Sequence, residues 1–303
     1  MNGNLSHKSV LADDTLAFLA PSGNKIIVDG TLGFGGHAER ILERLGPGGR
    51  LVGIDRDAEA LESAKERLGR FGDRAVILKD DYRNLPDRLK KLGIGKVQGI
   101  LLDLGVSSMQ LDEPARGFSF SHEGPLDMRM DKTGAVTAKE VVNRFPQREL
   151  EALLWRLGEE RFSRRIAKNI AEKRQQKPLE TTAELASLIS QSVPPFYRHG
   201  RIHPATRSFQ AIRMFVNQEL EALESFLAGA LECLDRRARL VIISFHSLED
   251  RAVKHAFRDW KKRGLAEILT KKPLTASPEE IRGNPRSRSA KLRALKIVKG
   301  AAA

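Results

Sequence analysis

Short apolar runs alternate along the first hundred positions with stretches in which apolar residues recur at helical spacing. Ile26-Ile27-Val28-Asp29, Leu51-Val52-Gly53-Ile54-Asp55, Ala75 to Leu78 and Gly99-Ile100-Leu101-Leu102-Asp103 lack the polar alternation of a strand with one wet face. Such runs predict strands of a parallel sheet buried on both sides. Between them, Ala38, Ile41, Leu42 and Leu45, and then Leu61, Ala64 and Leu68, mark single faces of two helices. Strand–helix units in this succession predict a doubly wound, Rossmann-like α/β sheet.

The rhythm stops at residues 112–131, which follow neither period. From about Lys139 to Gln191 the pattern is helical, with one stripe at Leu150, Leu153, Leu154 and Leu157 and another at Phe162, Ile166 and Ile170. Thr181 and Glu184 have the spacing of a capping box and open a third helix. One long amphipathic helix follows, with Phe209, Ile212, Val216, Leu220, Leu223 and Leu227 inward. Strand signals return at Leu240–Ile243 and close the chain at Leu292–Val298. The expected organisation is a discontinuous α/β domain, residues 1–111 and 206–303, carrying an all-helical insertion at 112–205 for substrate recognition.

Composition narrows the class. Hydrophobic residues make up 41% of the 303, enough for a sizeable core. No apolar run approaches the roughly 20 residues that span a bilayer, and Met1 to Ser9 carries no signal-peptide core. The single cysteine, Cys233, excludes an internal disulfide framework, so a reduced, cytoplasmic protein is expected. Charge adds a partner. The chain holds 52 Lys and Arg against 39 Asp and Glu, and residues 251–303 alone hold fifteen against four. A field of that sign attracts polyanions, nucleic acid first among them.

The turn Asp29-Gly30-Thr31-Leu32-Gly33-Phe34-Gly35-Gly36-His37 joins the first strand to the first helix of the sheet. Its glycines also fit a relaxed dinucleotide fingerprint, and Asp55 suits a ribose-hydroxyl acceptor in either case. Asp29 discriminates. A carboxylate there would repel a pyrophosphate but suits a ligand carrying an ammonium and a sulfonium, which is S-adenosylmethionine. Tyr82, after the third strand, is placed to stack on adenine or to join the core, and Asp103 ends the fourth strand at the same crevice.

Six runs carry a resemblance: Leu102-Asp103-Leu104-Gly105-Val106-Ser107-Ser108, Arg116-Gly117-Phe118-Ser119-Phe120, Gly124 to Asp131, His203-Pro204-Ala205-Thr206-Arg207, Ser244 to Arg251 and Asn284 to Arg293. Over nearly its whole length the chain resembles the MraW/RsmH family of bacterial small-subunit (16S) rRNA (cytosine-N4)-methyltransferases. The resemblance implies a class I methyltransferase sheet. It also implies methylation of a cytidine in the decoding region of small-subunit rRNA, within an assembled or nearly assembled 30S particle, with neither DNA nor membrane as partner. Cofactor contacts are implied at Gly35, Gly36, His37, Asp55, Tyr82, Asp103 and Gln110. The chain departs from the family pattern at Met109, commonly Pro, and at Tyr82, usually Phe.

Methylating a cytosine amine requires a base unstacked into a pocket and an acceptor for the NH₂ protons. Enzymes that methylate DNA amines use an Asp/Asn/Ser-Pro-Pro-aromatic tetrapeptide for this. Here that position reads Asp103-Leu104-Gly105-Val106, while the near match Val193-Pro194-Pro195-Phe196 lies in the insertion with an apolar first residue. The candidate acceptors are Asp103 and His246. Phe118 and Phe120 are candidates for stacking on the base, and Arg207, Arg213, Asn217, Arg286 and Arg288 for contact with RNA. Ser247 with Asp250 suggests a helix cap after His246. No metal site is expected. The rival readings are a nicotinamide-dependent oxidoreductase and a non-catalytic RNA-binding assembly factor.

Overall fold

The computed structural model describes residues 9–299; the polar N-terminal run, apart from Ser9, lies outside them. Seven strands form one sheet: β1 Ile26–Asp29, β2 Arg50–Asp55, β3 Ala75–Lys79, β4 Val97–Asp103, β5 Leu234–Ser244, β6 Ala266–Ile268 and β7 Lys291–Ile297. Their order is β3-β2-β1-β4-β5-β7-β6. Strands β1 to β5 run parallel, and β7 lies antiparallel between β5 and β6. This is the expected Rossmann-like doubly wound sheet with an antiparallel strand near one edge. The helices in chain order are α1 Ala12–Leu19, α2 Gly36–Arg44, α3 Ala58–Leu68, α4 Leu85–Lys91, α5 Ser108–Asp112, α6 Ala138–Arg144 and α7 Gln147–Gly158. They continue with α8 Ser163–Gln176, α9 Thr182–Ser192, α10 Pro195–Arg198, α11 Thr206–Val216, α12 Glu219–Cys233, α13 Ser247–Lys262 and α14 Pro278–Gly283. No helix among the described residues is long and apolar enough to cross a membrane.

Two compact units share the chain. One comprises the residues up to Gly105 and those from Leu220 onward; the other is Val106–Glu219. In the first, alternate residues of each strand serve two cores. Val28, Val52, Ile54, Ile100, Leu102, Leu240 and Ile242 pack with Leu85 and Leu89 of α4, Leu223 and Phe226 of α12, and Phe257 of α13. Ile27, Leu51, Leu101, Val241 and Ile243 pack with Leu16 and Leu19 of α1, Ile41 and Leu42 of α2, and Leu61 and Leu68 of α3. Burial of both faces explains why these strands are uninterrupted apolar runs.

The second unit is helical after a non-repetitive start. Its capping boxes are complete at Ser107/Gln110, Thr137/Glu140 and Thr181/Glu184, so each helix start has its exposed N–H groups satisfied locally. Helix α11 belongs to this unit, which therefore reaches beyond the expected 112–205 bounds. It packs closely on α7: a Cβ at Gly158 would lie 2.7 Å from the Arg207 carbonyl oxygen and 3.1 Å from Ala211 Cβ.

The single long helix expected from Phe209 to Leu227 is two helices, broken at Asn217 and Gln218. Gln218 takes a left-handed backbone (φ 50°). Asn217, 2% exposed, spends its amide on three backbone groups. It accepts from Met130 N–H at 2.7 Å and donates to the carbonyls of Met128 at 2.7 Å and Arg213 at 2.8 Å. Arg116, 3% exposed, donates to the carbonyls of Arg129 and Met130, each at 3.1 Å. Together they fix the aperiodic loop. Strand β5 begins earlier than Leu240 because its polar start, Asp235 to Arg237, hides it, and β6 carries no period of its own. The last strand ends at Ile297, leaving Val298 45% exposed.

Replacing Asn217 by alanine strands the Met130 N–H and the Met128 carbonyl inside the unit. Each buried unsatisfied group costs about 1–3 kcal/mol. Asn217→Ala should lower the thermal unfolding midpoint by several degrees, read by calorimetry; a midpoint within a degree of the parent would show that the loop holds itself.

Candidate active site

The order β2-β1-β4 places β1 at the point where the sheet winds in opposite directions, and ligands of such sheets bind at the carboxyl ends of these strands. Three neighbouring strands end here in carboxylates: Asp29 on β1, Asp55 on β2 and Asp103 on β4. The loop after β1 is stitched to its neighbours. Gly30 N–H donates to the Leu101 carbonyl, Leu32 N–H to that of Ile54, and Asp103 N–H to Thr31 Oγ1 at 2.6 Å. A Cβ at Gly30 would come within 2.5 Å of Leu102 Cδ2 and 3.2 Å of Tyr82 Cβ, so a larger residue here would displace the Leu102 side chain. Gly35 enters α2 with a φ of 75° and supplies no capping side chain. The first-turn N–H groups of α2 are thus left for an anionic group.

Asp55 is committed twice. Its Oδ2 accepts from Gly33 N–H at 2.7 Å and its Oδ1 from Asp57 N–H at 2.9 Å. The cap of α3 is Asp57, whose side chain accepts from Glu59 N–H, so Asp55 is free of that duty. Burial raises the Asp55 carboxyl above its ordinary range despite these donors. Asp29 is 1% exposed and accepts from Thr31 N–H. Burial pushes it up to about 7; the approach of Asp103 and Asp55 adds to this, and His37 opposes it. His37 Nε2 stands 3.4 Å from Asp103 Oδ2. Burial alone would favour neutral imidazole, but the Asp103 carboxylate outweighs it and raises the His37 pKa. Asp103 Oδ1 is buried with no hydrogen-bond partner among the described residues. Tyr82 is 8% exposed, beside Gly30 and edge-on to Phe226 at 5.8 Å.

The first unit therefore gathers Gly35, Gly36, His37, Asp55, Tyr82 and Asp103 at one end of the sheet, and adds Asp29. Gln110 belongs to the second unit, where its Oε1 accepts from Ser107 N–H in the capping box of α5. His246 is the N-cap of α13, in place of the expected Ser247. Its Nδ1 accepts from Glu249 N–H at 3.3 Å, and its Nε2 lies 3.1 Å from Glu249 Oε1. That arrangement makes it a helix-capping residue.

In the second unit several expected contacts have structural work. Phe118 is 5% exposed under the Arg116 guanidinium, a core anchor and not an open platform. Phe120 is half-buried, stacked on His203 at 4.5 Å and edge-on to Phe209 at 4.9 Å. Arg213 grips Glu219 through two hydrogen bonds of 2.9 and 2.8 Å, and Asn217 holds backbone as described. Arg207 donates to the Glu159 carbonyl. Arg286 and Arg288 are exposed at the other end of the chain, whereas their neighbour Arg293 is 9% exposed and bonded to Asp250 at 2.7 Å.

A glycine turn on a bare helix start, ringed by three carboxylates, suits a ligand with a carboxylate, two cationic centres and a ribose. S-adenosylmethionine has these groups, and the buried Asp29, once ionised, would give its cations a counter-charge. Asp55 would take the ribose hydroxyls, the α2 start the carboxylate and Tyr82 the adenine. Sheet and crevice are those of an S-adenosylmethionine-dependent methyltransferase. The chain belongs to the MraW methylase family, whose pattern matches residues 4–298. Similar proteins named Ribosomal RNA small subunit methyltransferase H include one of Pelobacter propionicus, 48% identical over 95% of this chain and 97% of its own. Those of Syntrophobacter fumaroxidans and Trichlorobacter lovleyi are each 47% identical, covering 96% and 95% of this chain and 96% and 97% of their own.

Cofactor binding should depend on pH through Asp29. Between the ordinary carboxylate range and about 7 the unfolded chain ionises this group while the folded chain keeps it protonated. The unliganded protein therefore loses stability as pH rises through that window, and a cationic ligand that needs the ionised form gains affinity. The affinity ratio of parent to Asp29→Asn should rise roughly tenfold from about pH 6 to about pH 8, the comparison cancelling the ligand's own titration. Calorimetry at stepped pH reads this ratio, and a constant value would show Asp29 ionised throughout.

Proposed function

We propose that this methyltransferase modifies the exocyclic N4 amine of a cytidine in the decoding region of small-subunit rRNA. We further propose that it acts in the cytoplasm, on an assembled or nearly assembled 30S particle. The observation that carries the substrate is the near-full-length match to relatives named for small-subunit rRNA methylation. The basic balance of the chain, +13 overall, supports a polyanionic partner.

S-adenosylmethionine supplies an electrophilic methyl group on its sulfonium. The amine lone pair of cytosine is delocalised into the ring, so the protein must draw on the NH₂ protons while it holds the nitrogen in line. Asp103 is suited to this. The end of β4 fixes it, His37 occupies Oδ2, and Oδ1 is left as an acceptor with no other partner. Asp103 Oδ1 accepts one amine hydrogen as the nitrogen gains the methyl, and takes the proton the new ammonium must lose. His246 is the weaker candidate, because the α13 cap engages it. Arg286 and Arg288 serve as phosphate contacts at the exposed turn before β7.

Nucleoside mass spectrometry of small-subunit rRNA from cells with and without the protein should show loss of one N4-methylated cytidine; an unchanged nucleoside profile overturns the substrate. Asp103→Asn should lower kcat by about 10²–10⁴-fold. Loss of cofactor binding with kcat intact would instead make Asp103 a ligand of the methionine moiety. Alanine at both Arg286 and Arg288 should flatten the salt dependence of RNA binding by about one to two units of slope. An unchanged slope removes them from the interface.

A further inference from the structure

Within the second unit, the segment after α9 is built to display one aromatic ring. Pro194 and Pro195 set the entry to the single turn α10. The next two residues have opposite fates. Tyr197 is pinned: its hydroxyl donates to Glu160 Oε2 at 2.8 Å, and its ring meets Phe162 edge-on at 4.9 Å. Glu160 is wholly buried, and its other oxygen accepts from Phe162 N–H at 2.9 Å, so the anchor is tied to the start of α8. Burial, reinforced by the Glu160 carboxylate, pushes the Tyr197 phenol up to about 12 and keeps it a donor. Phe196 touches only the edge of this cluster, 6.3 Å from Phe162, and is 70% exposed, the most of any large hydrophobic residue described.

Next to the buried Glu160, the charged residues flanking that ring are basic. Residues 161–168 and 194–207 hold seven Lys and Arg and no Asp or Glu. Arg161, Arg164, Arg165, Arg198 and Arg201 are exposed, and Arg161 lies 5.9 Å over the Tyr197 ring. An aromatic face held rigidly outward costs hydration unless something covers it. A base on that face and phosphates on the arginines satisfy both features at once, which a protein partner lacking acidic groups would not.

We propose that Phe196 is a stacking platform for an unpaired base of the RNA substrate, and that the arginines of the α8 start and α10 track the phosphates on either side. The proposal rests on the rRNA reading above and adds a second, sequence-tolerant contact within the second unit. It explains the Val193-Pro194-Pro195-Phe196 run, which resembles an amine-methylation tetrapeptide without its polar first residue: here the prolines present a ring and need no acceptor.

The test uses the full chain and a fluorescein-labelled single-stranded oligoribonucleotide of about twelve residues, within the span of such platforms. Fluorescence anisotropy gives the affinity. Phe196→Ala should weaken binding by about 5- to 150-fold, and Phe196→Trp should restore it. Arg164→Ala with Arg165→Ala should lower the salt slope by about one to two units, whereas Phe196→Ala should leave the slope alone. The thermal midpoint and cofactor affinity of Phe196→Ala should match the parent, since the ring is exposed. The platform is overturned if the parent binds the oligonucleotide and Phe196→Ala binds it equally well. It is also overturned if Phe196→Ala lowers the thermal midpoint, or converts a dimer to a monomer in sedimentation, since the ring then packs within the fold or against a second copy. A parent that methylates small subunits yet ignores the oligonucleotide overturns the platform and leaves the rRNA reading standing. A parent inactive on small subunits that still binds the oligonucleotide through Phe196 overturns that reading and keeps the platform.

Discussion

Asp29, Asp55 and Asp103 end three adjacent parallel strands, so the sheet concentrates like charges where water is scarce. Burial there holds the Asp29 and Asp55 carboxyls above the ordinary carboxylate range. The surrounding architecture reduces that cost without removing it. Backbone N–H groups of Thr31, Gly33 and Asp57 point at the carboxylates, and His37 leans on Asp103. What remains is a demand for positive charge, which a sulfonium and an ammonium meet and a pyrophosphate cannot. The tight glycine turn, the uncapped start of α2 and the stitched loop between β1 and α2 all serve to hold these three groups still.

The parallel sheet was legible in the sequence because burial on both faces leaves runs such as Gly99 to Asp103, which no surface element imitates. The three carboxylates of the crevice were legible for a related reason: an acid at the end of an apolar strand is an uncommon juxtaposition. What escaped depended on distant partners. The break at Asn217 and Gln218 is invisible in the apolar period, because Val216 and Leu220 keep helical spacing across it; the bonds that cause it come from Met128 and Met130. Strand β6 is three residues whose only strand partner among the described residues is β7. Phe118, Arg213 and Asn217 have the composition of RNA contacts, and only their neighbours reveal them as an anchor, an ion pair and a backbone clamp. His246 caps α13 with an imidazole nitrogen, a duty usually given to Ser, Thr, Asn or Asp.

The two units divide the labour by the kind of order they use. The first is rigid through two apolar cores, and its polar groups cluster at one end of the sheet. The second fixes the starts of α5, α6 and α9 with capping boxes and places aromatic side chains in small edge-to-face groups, such as Phe162 with Tyr197 and Phe145 with Phe215. Edge-to-face contacts hold rings in defined orientations with little area. The second unit thus sets the orientation of its rings with little buried area.

The clamp on the aperiodic loop has a consequence for what sets the loop's path. The hydrogen bonds from Asn217 and Arg116 end on main-chain atoms of Met128, Arg129 and Met130. A hold on peptide groups is indifferent to the side chains those peptides carry. The path of the chain there is thus set separately from the side chains, which have fixed places of their own: Met128 is wholly buried, and Arg129 is bonded to Asp127 and to the Gly134 carbonyl. The hold comes from two residues, Arg116 at the start of the loop and Asn217 at the end of α11, distant in sequence from the peptides they grip.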